Sequence, residues 1–273
     1  MCRLAAFPPG ITREYALWTM DRLETNNRDG FGYAYTKKGQ FIVHRWPEEF
    51  SKVSKREKYI FRHMPYNGWT IAHLRLASCG KPTYKNTHPF VKGDVCVCHN
   101  GCFSIHEELR PIANKFGHLS GETDSEVAAW VISNIGCKKF YKNFKFGSTY
   151  LALHRDGQLS AWSQGGDLEI STKHGCLASS FGASEPSTFL KNSFNYYAAD
   201  GKVIEHEGPT WGNQTNYPAY SGYGYGMHQE TPSVIQPELP LTEKKAPIIY
   251  NKPKGGRHRL VKSEGGYLWK QED

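Results

Sequence analysis

The chain reads as an α+β protein whose sheets are covered by helices. Two observations predict this. Short runs of alternating, β-branched and aromatic residues come in groups, and helical patterns separate the groups instead of following every strand. Paired strands, then helices, then strands again argue against a parallel doubly wound sheet. With 273 residues, 38% of them hydrophobic, the chain is long enough to bury a sizeable core as one large domain or two small ones.

The elements follow in order. Alternation places strands at residues 3–7, 32–35, 40–45, 70–74 and 94–98, with a second set at 149–154, 159–163, 176–180 and 202–205. Helical spacing fits residues 12–25, 52–63, 105–115 and 124–134, the last opening on Thr123 as N-cap before Glu126. The character changes near Pro209. From Asn213 onward the chain is rich in Tyr, Gly and Pro and has no sustained period, a composition that buries too little apolar surface to offset chain entropy. Residues 2–208 are thus expected to form the folded domain. Residues 209–273 are expected to form a largely disordered tail that carries a basic patch, KGGRHRLVK.

Bulk properties narrow the function classes. No apolar run approaches the roughly 18 residues that span a bilayer. Pro8 and Pro9 interrupt the apolar stretch near the N-terminus, so no secretory signal is read and the expected location is the cytosol. Seven cysteines, an odd number in a chain of this size, are expected to be reduced thiols. The net charge of +8 permits an acidic partner, but the basic residues are scattered and not striped, which argues against nucleic-acid binding.

Chemistry starts at Cys2. A cysteine directly after the initiator is small enough for an aminopeptidase to remove Met1, which leaves thiol and α-amine on one residue. A free α-amine titrates near about 7.7–8.0, so it can draw the thiol proton at neutral pH, directly or through one water. Four clusters follow: NRDGFGYAY at 27–35, IAHLRLASCG at 71–80 with NTHPF at 86–90, CVCHNG at 96–101, and GETDSEVAAWVI at 121–132. Each alone is an ordinary turn, strand end or helix start.

Their order and spacing, joined to Cys2, resemble the class II glutamine amidotransferases, whose glutaminase domain is an N-terminal-nucleophile hydrolase. The resemblance covers roughly residues 2–208. It implies a four-layer αββα sandwich of two mainly antiparallel sheets between helices. It also implies that Asn100 and Gly101 form an oxyanion hole, the Gly letting the backbone come close. Arg75 would bind the α-carboxylate of L-glutamine, a task suited to a planar guanidinium fork, and Asp124 would pair with its α-ammonium. Ser78 stands where the family usually has Thr and still offers a hydroxyl. His88, in NTHPF, would line the pocket wall or back a residue that does.

The chain departs from the family's HTRWATHG, which here reads HLRLASCG, with Leu74, Leu76 and Cys79 in place of Thr, Trp and His. The spacing of Cys96, Cys98, His99 and Cys102 lacks the paired C-x-x-C of common zinc sites, so these cysteines are read as structural. No metal or organic cofactor is expected. Nor is there a phosphate-binding G-x-x-x-x-G-K-[ST] loop, and SQGGDLE at 163–169 reads as a hairpin turn. The expectation is a glutaminase subunit that hands ammonia to a separate synthase or amidating enzyme in trans. The alternative is an N-terminal-nucleophile amide hydrolase that acts on another γ-glutamyl or acyl-amide substrate without ammonia transfer.

Overall fold

A computed structural model describes residues 1–208, apart from 66, 117, 118, 145, 166 and 180–184, and the backbone of 249–250, 258–263 and 266–271. Two sheets organise it. The first contains β1 (Arg3–Phe7), β2 (Gly30–Lys37), β3 (Gln40–Trp46), β4 (Thr70–Arg75), β9 (Glu169–Ser171), β10 (Leu177–Ala178) and β11 (Ser187–Phe189). The second contains β5 (Phe90–Lys92), β6 (Val95–Asn100), β7 (Ser148–His154), β8 (Leu159–Gln164), β12 (Ser193–Tyr197) and β13 (Val203–Glu207). Strand order is β11-β9-β10-β1-β4-β2-β3 in the first and β13-β12-β8-β7-β6-β5 in the second, with antiparallel neighbours throughout. Beyond β3 the first sheet continues through β14 (Ile249–Tyr250), which pairs parallel to β3, to β16 (Gly266–Gln271) and β15 (His258–Ser263).

The layers follow from strand alternation. Successive side chains on a strand point to opposite faces. On β1, Leu4 and Ala6 join a core between the sheets, whereas Ala5 and Phe7 face outward onto α1 (Arg13–Leu23) and α2 (Phe50–Arg56). On β6, Cys96 and Cys98 enter that same inner core, and Val95 and Val97 face α3 (His106–Lys115), α4 (Asp124–Ile135) and α5 (Cys137–Asn143). Helices therefore cover both outer faces, and the αββα sandwich expected from the resemblance is what the chain forms. Thr12 and Thr123 cap α1 and α4 by accepting from the N–H of Tyr15 and Glu126.

The short elements β5, β9, β11, β12 and α5 were not read in the sequence, and three other details also differ from its pattern. The helix expected over 52–63 ends at Arg56, and Phe61 takes a left-handed backbone with φ of 56°. A left-handed residue interrupts a helix, and Ile60 and Phe61, each 1% exposed, pack from the turn that follows α2 onto the outer core with Phe7 and Phe31. Segment 163–169 is no hairpin: β8 lies in the second sheet and β9 in the first, so the chain crosses between them and buries Leu168 in the inner core. The expected tail of 209–273 falls mostly on residues outside those described; within it, β14, β15 and β16 are backbone strands.

Candidate active site

Alternation also decides which functional side chains meet. Cys2 has the parity of Leu4 and Ala6, His73 and Arg75 that of Ile71, and Asn100 that of Cys96 and Cys98; all these partners belong to the core between the sheets. Strands β1 and β4 are antiparallel with Arg3 opposite Leu74, which brings Cys2 to the Arg75 end of β4. The ends of β1, β4 and β6 thus meet at one edge of the core between the sheets, where the candidate site lies.

The Cys2 thiol donates to the Leu76 carbonyl at 3.5 Å. Burial pushes its pKa above the ordinary thiol value. The Leu76 contact, the N-terminal ammonium and Arg75 pull it back down, and Asp124 adds to the rise. With Met1 attached, the thiol is therefore held protonated at neutral pH. Met1 itself is 54% exposed, open to an aminopeptidase, and its carbonyl accepts from Asn27 Nδ2 at 2.8 Å. Asn27, 1% exposed, also donates to Leu74 O at 3.4 Å and so ties the N-terminus to β4.

Arg75 is 2% exposed, and burial lowers its pKa while the nearby acids and thiols offset that. Three of the five N–H groups of its guanidinium are engaged: Nη1 donates to Lys81 O, and Nη2 to the Cys79 and Gly80 carbonyls. The Nε–H and the second Nη1–H make no hydrogen bond among the described residues. The segment after β4 is braced a second time, because Asp29 Oδ2 accepts from the Ala77 N–H at 2.7 Å. Ser78 sits exposed on that segment. Of the three departures from the family pattern, Leu74 faces the outer helices and leaves the cleft untouched, whereas Leu76 is exposed and the Cys79 thiol donates to Glu122 O at 3.4 Å.

Asn100 is 5% exposed, and its side-chain amide makes no hydrogen bond among the described residues. Next to it, Gly101 has φ of +138°, and a Cβ there would lie 2.2 Å from Ser148 Oγ. Only glycine fits. Asp124, the first residue of α4, is 7% exposed; its Oδ2 accepts from the Phe103 N–H at 2.8 Å and its Oδ1 from Ser125 Oγ at 3.3 Å. The turn before α4 is sewn down by Arg110, which donates to the Gly121, Glu122 and Thr123 carbonyls, and by Asn86, bonded to Lys81 O and to both ends of Glu122.

His88 lies in the interior, its ring stacked on His73 at 3.8 Å and edge-on to Phe90 at 4.6 Å. Burial holds His88 well below the usual histidine range and lowers His73 to about 3. The His88 carbonyl passes so close to Gly32 that a Cβ there would lie 2.1 Å from it. Among the described residues, no group of three His, Cys, Asp or Glu side chains is placed to hold a metal ion, and no helix is long and apolar enough to cross a membrane. The bracing by Asp29, Asn86 and Arg110 and the contacts of Asn27 and Ser125 were not singled out in the sequence. Their partners are backbone groups or distant turns that no local pattern announces.

The family described as class II glutamine amidotransferases matches residues 1–158. The glutamine--fructose-6-phosphate aminotransferase [isomerizing] of Aquifex aeolicus (strain VF5) is 31% identical over 207 residues, 69% of this chain and 34% of that protein. The enzyme of the same name from Acinetobacter baylyi (strain ATCC 33305 / BD413 / ADP1) is 32% identical over 116 residues, 42% of this chain and 18% of that protein. The chain thus spans about a third or less of the length of these relatives. In three dimensions it is similar to the glutamine phosphoribosylpyrophosphate amidotransferase from B. subtilis, with a TM-score of 0.60 and 15% identity over 76% of this chain and 49% of that one.

Proposed function

Because the chain belongs to the class II glutamine amidotransferases, with their N-terminal-nucleophile hydrolase fold, we propose that it hydrolyses L-glutamine to glutamate and ammonia through a γ-glutamyl thioester on Cys2. The observation that carries this reading is the pair of opposite charges around the thiol: Arg75 and Asp124 both act on Cys2. A guanidinium and a carboxylate that both reach the thiol match the zwitterionic head of a free amino acid.

In this mechanism Met1 has been removed, and the Cys2 α-amine takes the thiol proton. The thiolate attacks the glutamine Cδ carbonyl. The Asn100 amide, which has no hydrogen-bond partner among the described residues, and the Gly101 N–H hold the developing oxyanion. The C–N bond breaks as the α-ammonium passes its proton to departing ammonia. Water, deprotonated by the same amine, then cleaves the thioester and restores the thiol. Ser78 offers its hydroxyl to the substrate from the braced segment after β4, and the buried His88–His73 stack backs the cleft. We further propose that ammonia passes to a separate acceptor enzyme.

A second substrate, another γ-glutamyl amide, is favoured by Leu76 and Cys79, which change the cleft's edge where the family has Trp and His. Coupled assays of ammonia and glutamate release test both readings. Equimolar products from glutamine, abolished in Cys2→Ala, are expected. Activity confined to substituted γ-glutamyl amides would select the second reading, and no activity on either class would refute both.

A further inference from the structure

His99 is placed to do something the glutaminase reading leaves unassigned. It follows the two core cysteines on β6 but has the opposite parity, so its ring leaves the inner core and enters the helical layer. There it is 1% exposed and stacks on Tyr150 with ring centroids 4.4 Å apart. Its Nδ1 lies 2.9 Å from Ser125 Oγ, and that hydroxyl lies 3.3 Å from Asp124 Oδ1. A carboxylate only accepts, so the serine hydrogen points at Asp124 and the serine oxygen must accept from His99. This selects the Nδ1–H tautomer. His99 Nε2 is buried without a partner, as the deprotonated nitrogen of that tautomer. Burial lowers the ring's pKa to about 4, so it is neutral at pH 7.

We propose that His99 is a positioning residue that orients Asp124 through Ser125, and so sets how tightly the site grips the α-ammonium of its substrate. The inference rests on the reading that Asp124 binds that ammonium. Both carboxylate oxygens are then fixed, Oδ2 by the Phe103 N–H and Oδ1 by Ser125, so the remaining lone pairs aim at the ligand without rotation. The same residue reaches the opposite wall through its backbone: the His99 carbonyl is 3.1 Å from His73 Nε2, one residue before Asn100. One strand end thereby serves the ammonium contact by its side chain and the oxyanion contact by its chain neighbour.

The test compares His99→Phe, Ser125→Ala, the double variant, His99→Asn and Asp124→Asn in the full chain with Met1 removed. Steady-state hydrolysis is measured for L-glutamine and for its analogue lacking the α-amine. Loss of the relay should raise KM for glutamine about tenfold with kcat within about threefold, as for a hydrogen bond to a charged group. The preference for glutamine over the desamino analogue should fall by the same factor. The double variant should be no worse than either single one, and His99→Asn, which can present an N–H near the same point, should recover most of the affinity. The nitrogen-15 spectrum of His99 should show the Nδ1–H tautomer. An Nε2–H tautomer, unchanged KM in folded Ser125→Ala, or additive effects would overturn the relay. If Asp124→Asn raises KM and Ser125→Ala does not, the relay alone fails. If Asp124→Asn also leaves KM unchanged, the ammonium reading fails with it.

Discussion

Truncation of Asn100 separates catalysis from stability unusually well. Its amide makes no hydrogen bond among the described residues, so Asn100→Ala strands no buried partner. The side chain sits at the cleft end of β6, 5% exposed, and its loss leaves space that water from the cleft can fill. The expected cost in stability is about 1 kcal/mol or less, which lowers Tm by no more than about 4 °C in a chain of this size. The expected cost in catalysis is far larger. Removing one oxyanion donor from a preorganised site lowers kcat by about 10²–10³, or roughly 2.7–4 kcal/mol of transition-state stabilisation. KM should change little, because the ground-state carbonyl draws much less on that donor. Ammonia release under saturating glutamine reads kcat, and thermal unfolding reads Tm. A folded Asn100→Ala enzyme with kcat within tenfold of the parent would refute the oxyanion assignment, as would a loss of activity wholly accounted for by a collapse in Tm.

Other outcomes follow from the same contacts. Asp124→Asn should raise KM for glutamine by about 30-fold or more, since it removes the charge of a carboxylate that is only 7% exposed and is assigned to the substrate ammonium; Arg75 is a less clean target because it also ties three loop carbonyls. Gly32→Ala should destabilise the fold by about 3 kcal/mol in urea titrations, because the new Cβ would meet the His88 and His44 carbonyl oxygens at 2.1 and 2.7 Å. Acid should weaken the fold in a defined window. His73 is lowered to about 3, so the unfolded chain binds its proton as pH drops below about 6.5 while the folded chain refuses it. Stability from this group is complete above about 6.5 and is lost progressively toward 3, reaching about 2 kcal/mol at pH 5. Urea curves for the parent and His73→Gln at pH 7 and 5 should show that slope flattened in the variant.

The candidate site residues were read from the resemblance, and alternation explains how three of them come to face one another. Period two on β1, β4 and β6 turns Cys2, Arg75 and Asn100 toward the space between the two sheets, and the Thr123 cap correctly opened α4. What alternation cannot supply is pairing over long separations. Strands β9 and β11 have three residues each and gain their conformation from each other and from β10, so no local run marked them. The crossing at 163–169 looked like a hairpin because turn residues report a reversal, not the sheet that receives the next strand. The end of α2 was missed for a different reason: nothing in the local spacing announces the left-handed backbone at Phe61 that follows it. The departures in HLRLASCG also became interpretable only in three dimensions, where Leu74 turns away from the cleft and Cys79 toward the turn before α4.

The central claim is that the thiol of an N-terminal Cys2 is the nucleophile. Peptide mass spectrometry after treatment with the diazo-ketone analogue of glutamine tests it most directly. The account predicts an N-terminal peptide that begins at Cys2 and carries one covalent adduct on that residue, with protection by excess L-glutamine and no adduct in Cys2→Ala. A processed, folded protein that remains unmodified, or one labelled on Cys79 or Cys102 with Cys2 untouched, would contradict it.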